Sequence, residues 1–194
     1  MKRILLTIFI ILGFNYTSQA IDFNTEFYGF SISAIESANS NYEHDTFSLR
    51  AHFTSQGWEA KGWELRWSIE PNIHWYEHEL NNPLYIKEDE TNYLELRTRF
   101  TDGLDFMHVG VEGVILARKR VTANGYLELS AGLGVGYLEH ETERQAKGFT
   151  FSETGRIGYS LGTTHGEFFV GYTIMHVSNA GLENPNGGYD LSGI

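Results

Sequence analysis

Much of the chain consists of stretches in which apolar and polar residues alternate, the pattern of strands with one apolar face. The clearest stretches cover residues 47–53, 63–70, 107–117 and 127–137. No segment after the N-terminus approaches the run of about 20 apolar residues that a transmembrane helix needs. The 21 glycines and the 14% aromatic content also favour strands and turns. The sequence therefore predicts an all-β protein.

Alternation of this length fits either a soluble barrel with its apolar face inward or a membrane barrel with that face toward lipid. The polar faces carry small residues such as Gly132, Gly134 and Gly136, which leave room inside a narrow barrel, and the other faces carry Leu, Val and aromatic residues that match hydrocarbon. We therefore expect an antiparallel up-and-down transmembrane β-barrel of about eight strands. Aromatic residues near strand ends are expected to form interfacial girdles: Trp58, Trp63, Trp75, Tyr76, Tyr126 and Tyr137.

The pattern gives nine candidate strands, although single-chain bacterial barrels have even numbers of strands. They lie near residues 24–35, 46–54, 61–76, 92–100, 106–117, 126–138, 151–162, 167–178 and 188 onward. Segment 92–100 is the one that we suspect of being part of a long loop or a hairpin extension. Only Asp190 to Ile194 follow the last turn, whereas a strand needs about 9 residues to cross a bilayer. This predicts either a C-terminally truncated chain or a short last strand.

The N-terminus has the form of a secretory signal peptide, with Lys2 and Arg3 before an apolar run and the small-residue exit Ser18-Gln19-Ala20. Cleavage after Ala20 would leave a single exported barrel domain, residues 21–194, and would change the formal charge from -11 to -13. Nucleic acid is therefore not an expected partner. The chain has no cysteine, so a closed sheet rather than disulfides must stabilise it.

The candidate chemistry lies at residues 176–190, where a strand ends in His176-Val177-Ser178. Residues i and i+2 of a strand project to the same side, so the imidazole and the hydroxyl can meet as base and nucleophile. Asp190, beyond the Asn/Gly/Pro-rich turn, can orient the imidazole. His176 and Ser178 share their face with Val170, Tyr172 and other apolar residues. We therefore expect the pair to face lipid, where an amphiphilic ester could reach it sideways.

The turn also supplies candidate donors for the developing oxyanion of an ester. They are the side chain of Asn179 and the backbone N–H of Ala180 or Gly181. Asn179 fits equally well as a turn residue that closes an Asx hydrogen bond. Glu183 is a weaker candidate than Asp190 for the acid beside His176.

This run closely resembles the C-terminal signature of the PagL family, which are outer-membrane lipid A 3-O-deacylases. The family pattern reads His-x-Ser-Asn-Ala-Gly, then Pro-Asn-x-Gly, then a carboxylate. The resemblance implies an eight-stranded barrel in which His176, Ser178 and Asp190 form a catalytic triad, although the best-known pattern has glutamate at the last position. It also implies hydrolysis of the 3-O-linked hydroxyacyl chain of lipid A, with lipopolysaccharide as substrate and no metal or other cofactor. The sequence leaves homodimer formation open.

Three other readings of the sequence need a test. His74-Trp75-Tyr76-Glu77-His78 matches the H-x-x-E-H string of a zinc peptidase, but that chemistry needs a helix, and the local alternation favours a strand. A noncatalytic small outer-membrane barrel that acts as an anchor, adhesin or lipid binder would show the same strand pattern. An esterase acting on phospholipid would share the motif at residues 176–190.

Overall fold

The computed structural model describes residues 12–13, 25–37, 39–55, 57–163 and 166–194. The predicted signal peptide, residues 1–20, lies outside these ranges except for Leu12 and Gly13. Those two residues form a short strand that pairs with Gly29 and Phe30.

The fold is a closed antiparallel β-barrel of eight strands. Each strand pairs with its neighbour in sequence, and the first strand also pairs with the last, which closes the barrel. The eight strands are β1 (Thr25–Glu36), β2 (Glu43–Ser55), β3 (Trp63–Glu79), β4 (Leu104–Arg120), β5 (Gly125–Leu138), β6 (Gly148–Thr163), β7 (Gly166–Ser178) and β8 (Tyr189–Gly193). An additional short strand, Trp58–Ala60, pairs with β3. The predicted up-and-down architecture of about eight strands is confirmed.

The suspicion that segment 92–100 is not a barrel strand is confirmed. Residues Tyr93–Thr101 form the helix α1 in the connection between β3 and β4, which also contains the 3-10 turn Pro83–Tyr85. Phe100 is buried, and Tyr93 and Leu96 pack against the same buried cluster. Their spacing of three and four residues is helical, and it coexists in this segment with the period-two pattern. No helix in the described ranges is long and apolar enough to cross a membrane.

The barrel is apolar outside and polar inside, the reverse of a soluble barrel. Large exposed side chains on its outer wall include Leu129, Leu133 and Val170, whereas the interior holds buried charged side chains. Arg50 donates to Glu112 at 2.6 Å, and Arg156 donates to Glu70 at 2.6 Å. Buried charges are tolerated only when they are paired in this way. The predicted assignment of the two faces is confirmed.

The glycine series of β5 lines the interior, as predicted. A Cβ on Gly134 would lie 2.4 Å from both Glu112 Cγ and Ser152 Oγ. The missing side chain therefore makes room for the buried Glu112. Tyr76, by contrast, does not belong to an aromatic girdle, because its side chain is buried inside the barrel.

The two rims of the barrel differ in loop length. One rim carries the connections 37–42, 80–103, 139–147 and 179–188, three of which have nine or more residues, and the other carries links of seven residues or fewer between β2 and β3, β4 and β5, and β6 and β7. A buried cluster that includes Phe100, Leu138, Val177 and Tyr189 fills the barrel beneath the long loops. The ring of Tyr189 stacks on His44 with centroids 4.0 Å apart. The long-loop rim thus rests on a packed support.

Candidate active site

The strands β7 and β8 place His176, Ser178 and Asp190 on the outer wall at the long-loop rim. Asp190 lies directly opposite His176 in the antiparallel register. On β7, Phe168, Val170, Tyr172 and Ile174 are exposed, whereas Phe169, Thr173, Met175 and Val177 are buried. The even-numbered residues therefore point outward, and the predicted direction of the His176 and Ser178 face is confirmed by this burial pattern.

His176 and Asp190 are joined by a hydrogen bond, in which Nδ1–H donates to Oδ1 at 2.8 Å. The side chains are 37% and 85% exposed, so the pair is accessible from outside the barrel. The bond fixes the tautomer with a proton on Nδ1 and leaves the Nε2 lone pair for another partner. The described contacts of Glu183 involve only its carbonyl oxygen, so Asp190 is the acid that the fold brings to His176.

Gly188 packs between the imidazole and the serine. Its φ is +63°, and a Cβ there would lie 3.0 Å from His176 Cε1, 3.2 Å from Ser178 Cβ and 2.7 Å from the carbonyl oxygen of Val177. Only glycine accepts this backbone conformation at this distance without strain. The loop before β8 therefore contacts both His176 and Ser178 through a residue with no side chain.

The Ser178 hydroxyl lies on the same wall as His176 but makes no hydrogen bond within the described part of the chain. Side chains two residues apart on a strand project to the same face, with their Cα atoms about 6.6 Å apart. In enzymes without substrate, the bond between base and nucleophile is often long and tightens when substrate binds. The fold therefore places Ser178 on the same outer face as the hydrogen-bonded His176 and Asp190.

Two of the three predicted oxyanion donors, Asn179 and Gly181, are engaged within the loop. Asn179 Oδ1 accepts the Gly181 N–H at 3.1 Å, and Asn179 Nδ2 donates to the carbonyl oxygen of Glu183 at 2.7 Å. This is the Asx-turn alternative for Asn179. The N–H of Ala180 and the side-chain NH₂ of Asn186 have no acceptor among the described residues. A Cβ on Gly181 would lie 3.7 Å from Asn186 Nδ2, so both free donors belong to the same part of the loop.

A groove of about 740 Å³ runs along the outer wall beside His176 and Asp190. Small residues on neighbouring strands form its floor, because Ala131 pairs with Gly155 and Gly155 pairs with Ile174. Its other apolar lining includes Gly113, Ile115 and Leu133. The groove is therefore mainly apolar and open sideways, and its polar lining includes Glu153, His176 and Asp190.

Two charged residues near the pair were missed by the sequence reasoning. Glu153 lies directly opposite His176 on β6, so that carboxylates flank the imidazole on both sides. Its sequence signal was an acid at an outward position among Phe149, Phe151 and Ile157. Arg144, in the 139–147 loop, donates to the carbonyl oxygens of Gly187 and Gly188. No local pattern signals a contact between two loops.

A second serine, histidine and carboxylate group lies inside the barrel and was also not anticipated. His52 Nε2 is 2.7 Å from Ser31 Oγ, and His52 Nδ1 is 2.9 Å from Glu70 Oε1. All three side chains are buried, and Glu70 is also bonded to Arg156 at 2.6 Å. The adjoining internal cavity is only about 70 Å³. An acyl chain has no room there.

The zinc-peptidase reading of His74 and His78 is not supported by the fold. Both residues lie on β3 rather than on a helix, and both are buried inside the barrel. His74 contacts Asn72 and Ser48, and His78 contacts His44 and Glu143. Across the described ranges, no group of three or more His, Cys, Asp or Glu side chains is arranged to hold a metal ion.

Comparisons with known proteins agree with the geometry. A search of curated proteins and a search of solved structures each found no match. A family model described as lipid A 3-O-deacylase (PagL) matches residues 45–194, which is more than half of the chain and includes most of β2 and all of β3 to β8, with the His176, Ser178 and Asp190 positions. The chain therefore belongs to the PagL family of lipid A 3-O-deacylases.

Proposed function

We propose that this protein is an outer-membrane serine esterase that removes the ester-linked 3-hydroxyacyl chain from the 3-position of lipid A. The observation that carries the proposal is the His176–Asp190 hydrogen bond on the outer wall, with Ser178 on the same face and the apolar groove beside it. Family membership supports the reaction class.

The apolar outer wall supports a location in the membrane. Side chains such as Leu129, Leu133 and Ile157 are at least 60% exposed, which is costly in water and favourable in hydrocarbon. Long loops at one rim and shorter links at the other fit the outer-membrane pattern, in which the long loops face the exterior. The predicted signal peptide at residues 1–20 would provide the export that this location requires.

The reaction follows from the positions of the three side chains. Ser178 Oγ attacks the ester carbonyl carbon while its proton passes to His176 Nε2. His176 then returns that proton to the departing sugar oxygen as the ester C–O bond breaks, which leaves the acyl chain on Ser178. Water, deprotonated by His176, releases the 3-hydroxy fatty acid and restores the serine. Asp190 accepts the Nδ1–H throughout and stabilises the imidazolium.

The free donors in the turn are placed to serve the tetrahedral intermediate. Ala180 lies two residues and Asn186 eight residues after Ser178 in the same loop, and the Ala180 N–H and the Asn186 NH₂ have no partner among the described residues. Preorganised donors of this kind stabilise the charge that develops on the carbonyl oxygen. The donors of Asn179 and Gly181 instead maintain the shape of the loop.

The substrate would enter from the membrane plane. The groove is open sideways and apolar, and it leads to His176 and Asp190 at the rim. An acyl chain could lie against Ala131, Gly155 and Ile174 while the ester and the sugar stay at the headgroup level. A water-soluble substrate would gain nothing from such a channel.

The test is to refold the full chain in detergent, add purified lipopolysaccharide and follow the mass of lipid A. We expect the wild type to remove one 3-hydroxyacyl chain and Ser178→Ala to remove none. Ser40→Ala, which changes an exposed serine of another loop at the same rim, is the matched control. Absence of the mass change with folded wild type would support a noncatalytic barrel. Fatty acid release from phospholipid vesicles but not from lipopolysaccharide would assign a different substrate.

A further inference from the structure

We infer that Arg144 is a positioning residue, which holds the loop before β8 against His176 and Ser178. The inference deepens the proposed function and rests on it. Arg144 lies in the 139–147 loop between β5 and β6, and it touches none of the three side chains proposed to react.

The side chain of Arg144 forms hydrogen bonds to the backbone of the two glycines at the end of the loop before β8. Its Nη2 donates to the carbonyl oxygen of Gly187 at 2.6 Å, and its Nε donates to that of Gly188 at 3.0 Å. A planar guanidinium can bind two adjacent carbonyls at once, which an ammonium cannot do with the same rigidity. A Cβ on Gly187 would lie 2.8 Å from Arg144 Cζ, so the contact also requires the missing side chain there.

The backbone carbonyl of Arg144 also binds these two glycines, by accepting hydrogen bonds from their N–H groups. The carbonyl oxygen of Arg144 accepts the N–H of Gly187 at 2.6 Å and that of Gly188 at 3.2 Å. The next contact along the two loops is the bond from the Ala146 N–H to the carbonyl oxygen of Pro185, at 2.8 Å. The two loops are thus joined over several residues, with Arg144 at the end nearest His176.

The charge of Arg144 is directed at neutral acceptors. Its third described side-chain bond goes from Nη1 to the hydroxyl of Tyr85 at 2.5 Å, and no carboxylate is within ion-pair distance among the described residues. Arg99, in α1 at the same rim, behaves differently, since it pairs with Glu141 at 2.6 Å while both side chains remain exposed. Arg144 therefore connects three loops, including the long connection that carries Tyr85.

Gly188 connects the loop held by Arg144 to the groups proposed to react. It lies against His176 Cε1 and Ser178 Cβ, so a shift of Gly188 changes the space in which the imidazole and the hydroxyl approach each other. Misplacement of reacting groups by about 1 Å can cost on the order of 100-fold in rate. The apolar lining of the groove does not include Arg144, so substrate affinity should change little.

The experiment compares Arg144→Ala, Arg144→Lys and the control Arg99→Ala as full chains in detergent. Each is assayed on lipopolysaccharide and on a short uncharged ester without phosphate. We expect kcat of Arg144→Ala to fall about 100-fold on both substrates with KM little changed. Arg144→Lys should recover only a small part, and Arg99→Ala should match the wild type. Folding is checked by the heat-dependent gel mobility of the barrel.

Several results would overturn the inference. A loss confined to lipopolysaccharide, or full recovery by lysine, would show that Arg144 attracts an anionic headgroup instead. A change in KM alone would assign it to substrate binding, and unchanged kinetics would remove its role. If the folded wild type hydrolyses neither substrate, the proposed function fails on its own. The role of Arg144 in holding the loop is then tested by amide hydrogen exchange at Gly187 and Gly188. We expect this exchange to be faster in Arg144→Ala than in the wild type, and an unchanged exchange rate would contradict the inference.

Discussion

The outer wall and the interior of this barrel each hold a serine, a histidine and a carboxylate, and the two groups differ in surroundings more than in chemistry. Inside, Ser31, His52 and Glu70 are buried and connected by hydrogen bonds. Outside, His176 is bonded to Asp190, and the Ser178 hydroxyl has no partner in the described structure. The better-connected group is thus the one that substrate cannot reach. Access, rather than hydrogen-bond geometry alone, separates a candidate active site from a structural network.

Serine removal should give the largest difference between the two groups. We expect Ser178→Ala to lower the deacylation rate on the order of 10⁵-fold, because the nucleophile is lost. Ser31→Ala should leave the rate near that of the wild type but lower the unfolding free energy by about 1–3 kcal/mol, because His52 loses a buried partner. Lipid A mass analysis and urea unfolding measure the two quantities. Loss of activity in folded Ser31→Ala would place chemistry inside the barrel.

Removal of the acids gives the next contrast. Asp190→Asn should lower kcat on the order of 10³- to 10⁴-fold without affecting folding, because the imidazole loses its orienting acceptor. Glu70→Gln should instead destabilise the barrel by about 3–5 kcal/mol, because the charge of Arg156 is left uncompensated. Glu183→Gln is the control for the loop acid and should resemble the wild type. Activity retained in Asp190→Asn but lost in Glu183→Gln would reassign the acid.

Gly188 tests the local packing that only the outer group has. Gly188→Ala should lower kcat by about 10- to 100-fold, because the new methyl group would push on His176 and Ser178. Gly103→Ala is a matched control, since Gly103 also has a positive φ of +79° but no atom within 4 Å of a Cβ. The kinetics of both variants should be measured in the same detergent. Equal losses in the two would indicate backbone strain rather than contact with the site.

Removal of the charge of Glu153, beside His176, should have the smallest effect on kcat. The interior Glu70 is neutralised by Arg156, whereas Glu153 lies opposite His176 with no cation bonded to it in the described residues. Cross-strand side chains on one face are about 5 Å apart, so Glu153→Gln should lower kcat about two- to fivefold by removing charge that stabilises the imidazolium. Asp105→Asn, another exposed acid at this rim, serves as control. A much larger loss would show that Glu153 contacts substrate.

The sequence is sufficient to predict features that depend only on how residues alternate between the two faces of a single strand. Alternation predicts which face of each strand is apolar, and it places His176 and Ser178 on the outer wall. The same reasoning misassigned 92–100 because Tyr93, Leu96 and Phe100 satisfy a helical period as well. It also put Tyr76 in a girdle, because position near a strand end does not reveal which way a side chain points.

Features that depend on pairing between distant segments could not be predicted in this way. The contact of Arg144 with Gly187 and Gly188 joins two loops, and loop conformation has no periodic signal. The interior group requires the register of three strands at once, since Ser31, His52 and Glu70 come from β1, β2 and β3. Glu153 was overlooked because its position opposite His176 follows from the β6–β7 register and not from its neighbours in sequence.

The sideways opening of the groove has a kinetic consequence. If the substrate arrives along the bilayer, the rate at which the protein encounters it depends on the surface density of the substrate in the membrane. The bulk molar concentration of the substrate does not determine this rate. Diluting lipopolysaccharide with inert detergent at constant total amount should therefore slow turnover, whereas adding buffer should not. Under the proposed function, an effective inhibitor would have to partition into the leaflet first.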